Sequence, residues 1–227
     1  SDAQLRTLLR SADLDQLEPL CARFLAEGNI ARLRLVGQRL LTVRPAPQPL
    51  EVVLANAEIL LSCRLPVAAG IVLDRLSPSQ GAERLQWLVL QWRAAEAALD
   101  HGRASLALER LAAGNPARLA SLQLPVRQRP DGSWATRPAL DLLVADLEAV
   151  GRSREAASLL LLSPPGDGSA AERLAQGVRL WSSLPEQERE PLMEQALEQA
   201  AAAGSWGLVS ELLAAEAATA TCVNSVI

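Results

Sequence analysis

Apolar residues recur at intervals of three and four along almost the whole chain, and short turn-forming stretches interrupt them. One apolar stripe runs from Leu14 to Leu25 and the next from Ile30 to Leu41, with the turn-forming letters EGN between them. This spacing places the apolar residues on one face of an α-helix. Gly28 occupies the position at which glycine commonly ends a helix. The pattern therefore predicts two helices joined by a tight turn, a helical hairpin.

The same unit recurs along the chain. Turns of this kind are predicted at positions 28, 64, 102, 151 and 204, so that successive turns lie 36, 38, 49 and 53 residues apart. Periods of this size are typical of helical-repeat proteins, in which each hairpin buries its apolar face against its neighbours. We therefore expect an all-α, right-handed α-solenoid in a single domain over residues 1–227. Its five antiparallel hairpins are predicted at about 1–44, 49–76, 79–113, 139–162 and 169–217.

The composition favours helices over strands. Apolar residues make up 49% of the chain but aromatic residues only 3%, with no tyrosine and a single phenylalanine. The core must therefore be built from leucine, alanine and valine. Leucine and alanine are strong helix formers, whereas strands favour aromatic and β-branched residues.

Two segments depart from the repeat, and a third has no assignment. Residues 120–138 contain the turn signal Pro-Asp-Gly between alternating flanks, which predicts a small β-hairpin-like insertion. Residues 168–185 predict an additional helix. The tail, residues 218–227, shows no helical stripe, and the sequence does not decide its structure.

Two of the predicted hairpins, in segments 94–116 and 142–165, resemble those of the tetratricopeptide-like repeat superfamily. In that family an alanine five positions after the turn lets the second helix pack closely, and Ala69, Ala107 and Ala156 occupy this position here. Other helical repeats, such as HEAT repeats, stay open on these residues. The resemblance implies a scaffold that binds a partner segment in a groove lined by the first helix of each hairpin.

Several classes of chemistry have no basis in the sequence. All 22 basic residues are arginine, so that no lysine is available for a Schiff base or a phosphate-binding loop. The single histidine cannot form a two-histidine metal site, and the three cysteines have no metal-binding spacing. We expect no catalytic residues, metal or cofactor. The net charge of −4 does not favour a nucleic-acid partner.

The cellular setting is predicted from weaker signals. An odd number of widely separated cysteines fits a reducing environment, and we expect a cytoplasmic protein. No apolar run approaches the length of about 20 residues that a transmembrane helix needs.

His101 is interpreted as a residue at the end of a helix. It stands directly before Gly102, the predicted turn residue, where a histidine interacts favourably with the helix dipole. No motif pairs it with a catalytic cysteine, serine or carboxylate.

Charge is distributed unevenly between the two helices of each hairpin. The first helices carry sixteen acidic residues against four arginines, whereas arginines dominate the first four of the second helices. If the first helices line a groove, that groove is acidic and favours a basic partner segment. The alternative is that the acidic residues only complement helix dipoles. The residues expected to line the groove are Glu18, Glu58, Trp92, Glu96, Asp141, Glu194 and Glu198.

The insertion supplies a second candidate surface. Trp134 lies near Arg129 and Arg137, and exposed tryptophan with arginine is the composition of an interface hot spot. The alternative is that Trp134 folds back and anchors the loop.

The sequence therefore favours a non-enzymatic protein–protein interaction scaffold or adaptor. The alternative is a helical-repeat enzyme or accessory factor that acts on a small molecule through groove carboxylates such as Glu96 or Asp141. A third hypothesis is self-association into a homo-oligomer through the Leu/Ala-rich terminal hairpins, because an uncapped repeat array exposes apolar surface.

Overall fold

A computed structural model of the 227-residue chain describes residues 2–44, 47–162 and 168–224. These residues form 13 helices and one two-stranded antiparallel sheet. The prediction of a helical protein with a small β insertion is thereby confirmed. The chain divides into two compact units, Ser1–Leu111 and Ala112–Ile227. Each unit is described by itself.

The first unit contains three helical hairpins preceded by one helix. The first helices of the hairpins pack in succession, α2 on α4 and α4 on α6, and the second helices α3 and α5 also contact each other. The unit thus repeats one packing arrangement along its length. Its helices are α1 (Asp2–Ser11), α2 (Leu14–Ala26), α3 (Ile30–Thr42), α4 (Leu50–Ser62), α5 (Pro66–Leu73), α6 (Ala82–Ala97) and α7 (His101–Ala112).

The second unit contains the β-hairpin and two further helical hairpins, α9 with α10 and α12 with α13. The additional helix α11 packs between them, against both α10 and α12. The elements are α8 (Ala117–Ser121), β1 (Gln123–Gln128), β2 (Trp134–Pro138), α9 (Ala139–Ala149), α10 (Ser153–Leu161), α11 (Gly168–Leu180), α12 (Glu186–Ala202) and α13 (Trp206–Asn224). The last helix thus continues through most of the tail that the sequence left unassigned.

All five hairpins turn in the same way. In each hairpin one residue adopts a left-handed backbone conformation and the second helix begins two residues later. The φ angles of these residues lie between 55° and 79°. The turn residues are Gly28, Arg64, Leu99, Gly151 and Gly204.

The five turns share their hydrogen bonds as well. The backbone N–H after the turn residue donates to the carbonyl five residues earlier in the first helix, as Asn29 does to Phe24 (2.9 Å) and Arg152 to Leu147 (2.8 Å). The turn residue itself donates to the carbonyl three residues earlier. This is the Schellman arrangement, which satisfies the last carbonyls of a helix. Each first helix therefore ends with the same hydrogen-bonded geometry.

The third turn lies at Leu99, so the prediction of Gly102 is wrong. Asp100 accepts a hydrogen bond from the backbone N–H of Arg103 (3.0 Å) and thereby caps α7. A helix capped at Asp100 begins at His101, so the turn must come before it. His101 is therefore the first residue of a helix and not the last, and Gly102 lies inside α7.

The corrected turn also moves the small residue that permits close packing. Five positions after Leu99 stands Ala104, which is fully buried, as are Ala69 and Ala156 at the equivalent positions. Ala107, the residue expected there, is buried one turn later.

Cys21 of α2 and Cys63 at the end of α4 form a disulfide, with their Cα atoms 5.3 Å apart. Both residues are buried. Disulfides persist mainly in oxidising compartments. This pairing counts against the reducing environment on which the cytoplasmic prediction rested.

Among the described residues, every helix is too short or too polar to cross a lipid bilayer.

Two substitutions test the shared turn. A left-handed conformation costs a side-chain-bearing residue about 1 kcal/mol relative to glycine. Leu99 is highly exposed, so Leu99→Gly removes this cost without loss of packing. We expect Leu99→Gly to raise the free energy of unfolding in urea by about 0.5–1 kcal/mol, and Gly151→Ala to lower it by a similar amount. If both variants unfold at the same urea concentration as the unchanged chain, the shared turn geometry is contradicted.

Candidate protein-interaction surface

Four exposed glutamates form a stripe along α12. Glu186, Glu190, Glu194 and Glu198 follow one another at intervals of four residues, and all four are exposed. Residues four apart lie on the same face of a helix, so the stripe extends for about 18 Å. We call these four residues the glutamate stripe.

The glutamate stripe has little compensating positive charge. Arg189 is the one basic residue of α12, and its Nε lies 4.0 Å from Glu186. Within the described parts of the chain, Glu190, Glu194 and Glu198 form no ion pair. Like charges four residues apart destabilise a helix by about 0.2–0.5 kcal/mol per pair. The alternative explanation is that the acidic residues only complement helix dipoles. It accounts for Glu186 in the first turn of α12 but not for Glu194 and Glu198.

Asp141, which was expected to face the groove, forms an ion pair with a residue of a neighbouring helix. Its carboxylate accepts hydrogen bonds from Nε (2.9 Å) and Nη2 (3.5 Å) of Arg173 on α11. The Arg173 side chain is only 8% exposed. Asp141 is thus half of a largely buried ion pair, and we attribute to it a structural role.

Sequence reasoning missed the part that α11 plays. Arg173 and Gln176 lie three residues apart on one face of α11, and Gln176 donates a hydrogen bond to Glu148 of α9 (2.8 Å). Two acidic residues of α9 are therefore contacted by α11. The signal in the sequence was the spacing of Arg173 and Gln176, three residues apart on α11.

The three acidic residues expected in the first unit have different surroundings. Glu18 is exposed. Glu58 is exposed and lies 3.6 Å from Arg93 of the next first helix. Glu96 is half-buried, and a carboxylate oxygen of it lies within 4.8 Å of a ring nitrogen of His101. Glu18 and Glu58 therefore offer accessible carboxylates, whereas Glu96 is partly covered.

Trp92 lies in the interior. Only 3% of its surface is exposed, so its ring is not available to a partner. Helical position alone placed it beside the groove, but its apolar ring is covered by the packed protein.

A β-bulge determines which hairpin residues share a face. Leu124 pairs with Arg137 and Pro125 with Thr136, but then Arg127, not Val126, pairs with Ala135. Directly opposed residues lie on the same face of a sheet. The extra residue Val126 therefore shifts the alternation of β1.

The consequence is that Trp134 and the arginines of the insertion lie on opposite faces. Residues two apart on a strand point to the same face, so Ser133, Ala135 and Arg137 share one face. Arg127 pairs with Ala135 and Arg129 is hydrogen-bonded to Ser133, so both arginines lie on the face of Arg137. Trp134 pairs with Gln128 on the other face and is 46% exposed. The expected Trp–Arg cluster is thus divided into two surfaces.

The turn of the hairpin is held by hydrogen bonds. The N–H of Gly132 donates to the carbonyl of Arg129 (3.0 Å), and both the N–H and the hydroxyl of Ser133 donate to Asp131. The Ser133 hydroxyl, followed by its N–H, holds the pKa of Asp131 below its usual value. The Asp131 carboxylate therefore stabilises the turn.

The first unit contains a cavity of about 400 Å³ between α6, α7 and the segment after α5. Its carboxylate, Asp74, accepts hydrogen bonds from Arg103 (2.7 Å) and Gln91 (3.2 Å). Trp87 donates its indole N–H to the carbonyl of Leu73 (3.0 Å). Asp74 is thus held by side chains of α6 and α7.

Comparison with protein families, curated proteins and solved structures finds no match to this chain. Any functional conclusion therefore rests on the residues and their geometry.

The Asp141–Arg173 pair yields a prediction on stability. Asp141→Asn leaves a nearly buried guanidinium without its counter-charge, and we expect a loss of about 1–3 kcal/mol in the free energy of unfolding. The matched control is Glu155→Gln, which breaks the exposed Arg152–Glu155 pair and should change stability much less. Chemical denaturation measures both, and equal losses would contradict the structural role of Asp141.

Proposed function

We propose that this chain is a non-enzymatic protein–protein interaction scaffold that binds a basic partner segment through exposed carboxylates of its first helices. The binding residues on this account are the glutamate stripe of α12 in the second unit; Glu18 and Glu58 are candidate contacts of the first unit taken by itself. Arginine and lysine side chains of the partner would supply the positive charge that the stripe lacks.

The glutamate stripe is the observation that carries the proposal. A series of exposed glutamates four residues apart lowers the stability of its own helix. Such an arrangement is costly in the isolated protein and becomes favourable when a cationic ligand neutralises it. Dipole complementation does not supply a reason for glutamates in the last turns of α12.

The repeated hairpins support a tetratricopeptide-like solenoid as the scaffold. Five helical pairs share one turn geometry, and in the first unit first helices contact first helices while second helices contact second helices. Stacking of like on like is how a helical repeat extends its surface. We propose the right-handed solenoid on this basis.

The enzyme alternative gains no observation in its favour from the two carboxylates that suggested it. Asp141 is paired with Arg173, and Glu96 is half-buried beside His101.

The proposal is tested by Glu190→Gln, Glu194→Gln and Glu198→Gln in one chain. We expect the affinity for a labelled octalysine peptide, measured by fluorescence anisotropy at low salt, to fall by about threefold to a hundredfold, since three exposed ion pairs contribute about 0.2–1 kcal/mol each. The same variant should be more stable by about 0.5–1 kcal/mol, because three like-charge pairs are removed.

The matched control carries Asp15→Asn, Glu51→Gln and Glu83→Gln, which change the net charge equally but lie in the first turns of α2, α4 and α6. It should keep most of the affinity for octalysine. If both variants lose affinity to the same extent, binding follows net charge alone and the stripe is not a site. An acidic peptide that binds as tightly as octalysine would also reject the proposal.

A further inference from the structure

The β-hairpin of the second unit presents three arginines on one face. Arg127, Arg129 and Arg137 are all exposed, and the bulge at Val126 brings them to the same side. In an unbulged hairpin Arg127 would oppose Trp134 on the other face. We call these three residues the arginine face.

The arginine face is not neutralised by any residue that the structure describes. In the described segments none of its three guanidinium groups forms an ion pair. The one hydrogen bond that these guanidinium groups donate there runs from Arg129 to the Ser133 hydroxyl (3.4 Å). The nearby carboxylate of Asp131 is engaged by Ser133. Three cations on one side of a short hairpin therefore favour an anionic surface supplied from elsewhere.

The spacing of the arginine face matches that of the glutamate stripe. Along the second strand and its extension, the three arginines are spaced two residues apart. Arg137 belongs to this strand, Arg127 pairs with Ala135, and Arg129 is hydrogen-bonded to Ser133. Two residues of a strand span about 6.6 Å, and four residues of a helix rise about 6 Å. Three arginines can thus meet three successive glutamates along about 12–13 Å.

The two surfaces belong to the same unit but do not meet within the described chain. No ion pair joins the arginine face to α12 in the part of the chain that the structure describes. The charged side chains of both surfaces are exposed, and another copy of this chain carries the complement of each.

We propose that the arginine face of one copy binds the glutamate stripe of a second copy. This inference rests on the proposed function of the stripe and names its basic partner segment as the hairpin of the same protein. A two-fold arrangement would form the contact twice, because each copy supplies both surfaces. Exposed pairs contribute little individually, so the association is weak and depends on salt.

Sedimentation of the full chain tests the proposal. At about 0.05 M salt we expect the mass to rise from monomer towards dimer as the concentration approaches about 0.2 mM, and at about 0.5 M salt we expect monomer, because screening weakens exposed ion pairs. Two triple variants, Arg127→Glu with Arg129→Glu and Arg137→Glu, and Glu190→Arg with Glu194→Arg and Glu198→Arg, should each stay monomeric at low salt. An equimolar mixture of the two should associate again, since opposite charges then meet at every contact.

The controls separate the two surfaces of the hairpin. Trp134→Ala alters the opposite face and should leave self-association within about twofold. If a charge-reversed chain loses its helical circular dichroism, changing the same arginines to Gln replaces it and should weaken association at least about tenfold.

A chain that is monomeric at both salt concentrations overturns this inference, as does an association that persists in the charge-reversed variants or is not restored in the mixture. Octalysine binding that depends on the stripe would survive such a result, and the proposed function would then stand without the self-contact. Loss of that dependence would instead remove the proposed function.

Discussion

The left-handed residue that ends each first helix is the constraint on which the rest of this structure depends. It reverses the chain in two residues, satisfies the last carbonyls of the first helix and starts the second helix at a fixed distance. In four of the five hairpins the residue five positions after the turn is buried, and an alanine there, as at Ala69 or Ala156, permits close approach. Five copies of one local geometry thus produce hairpins that can stack.

Most of the fold was predictable from the sequence because its signals are local. Glycine at positions 28, 151 and 204 marks three turns, and Pro66 at the start of α5 marks a fourth. The prediction of the third turn is wrong because Gly102 is a turn-forming residue that here lies inside a helix. Asp100, which caps α7, marks the true position. Leu99 adopts the left-handed conformation although leucine does not favour it, and no single-residue preference could have shown this.

The candidate surface was less predictable, since it depends on contacts between elements. Asp141 reads as an exposed acid until Arg173, 32 residues later, is seen to bind it. Burial of Trp92 likewise depends on neighbours that its own helix does not specify. In the insertion, strict alternation places Arg127 opposite Trp134, and only the bulge at Val126 reverses this arrangement. The glutamate stripe, by contrast, follows from sequence spacing alone once α12 is known to be one continuous helix.

The second unit exposes an acidic helix and a basic hairpin. Within the described residues, Glu190, Glu194 and Glu198 form no ion pair, and neither do the three arginines of the arginine face. Such separation lowers the stability of the isolated chain and favours charged partners, because binding supplies the neutralisation that folding does not. Since the chain contains no lysine, carbodiimide-activated carboxylates have no lysine amine of their own to react with. Zero-length cross-linking to octalysine, with the modified residues located by mass spectrometry, is therefore the most direct measurement. The account predicts cross-links concentrated at Glu190, Glu194 and Glu198. Cross-links spread evenly over the exposed carboxylates, or concentrated away from α12, would contradict it.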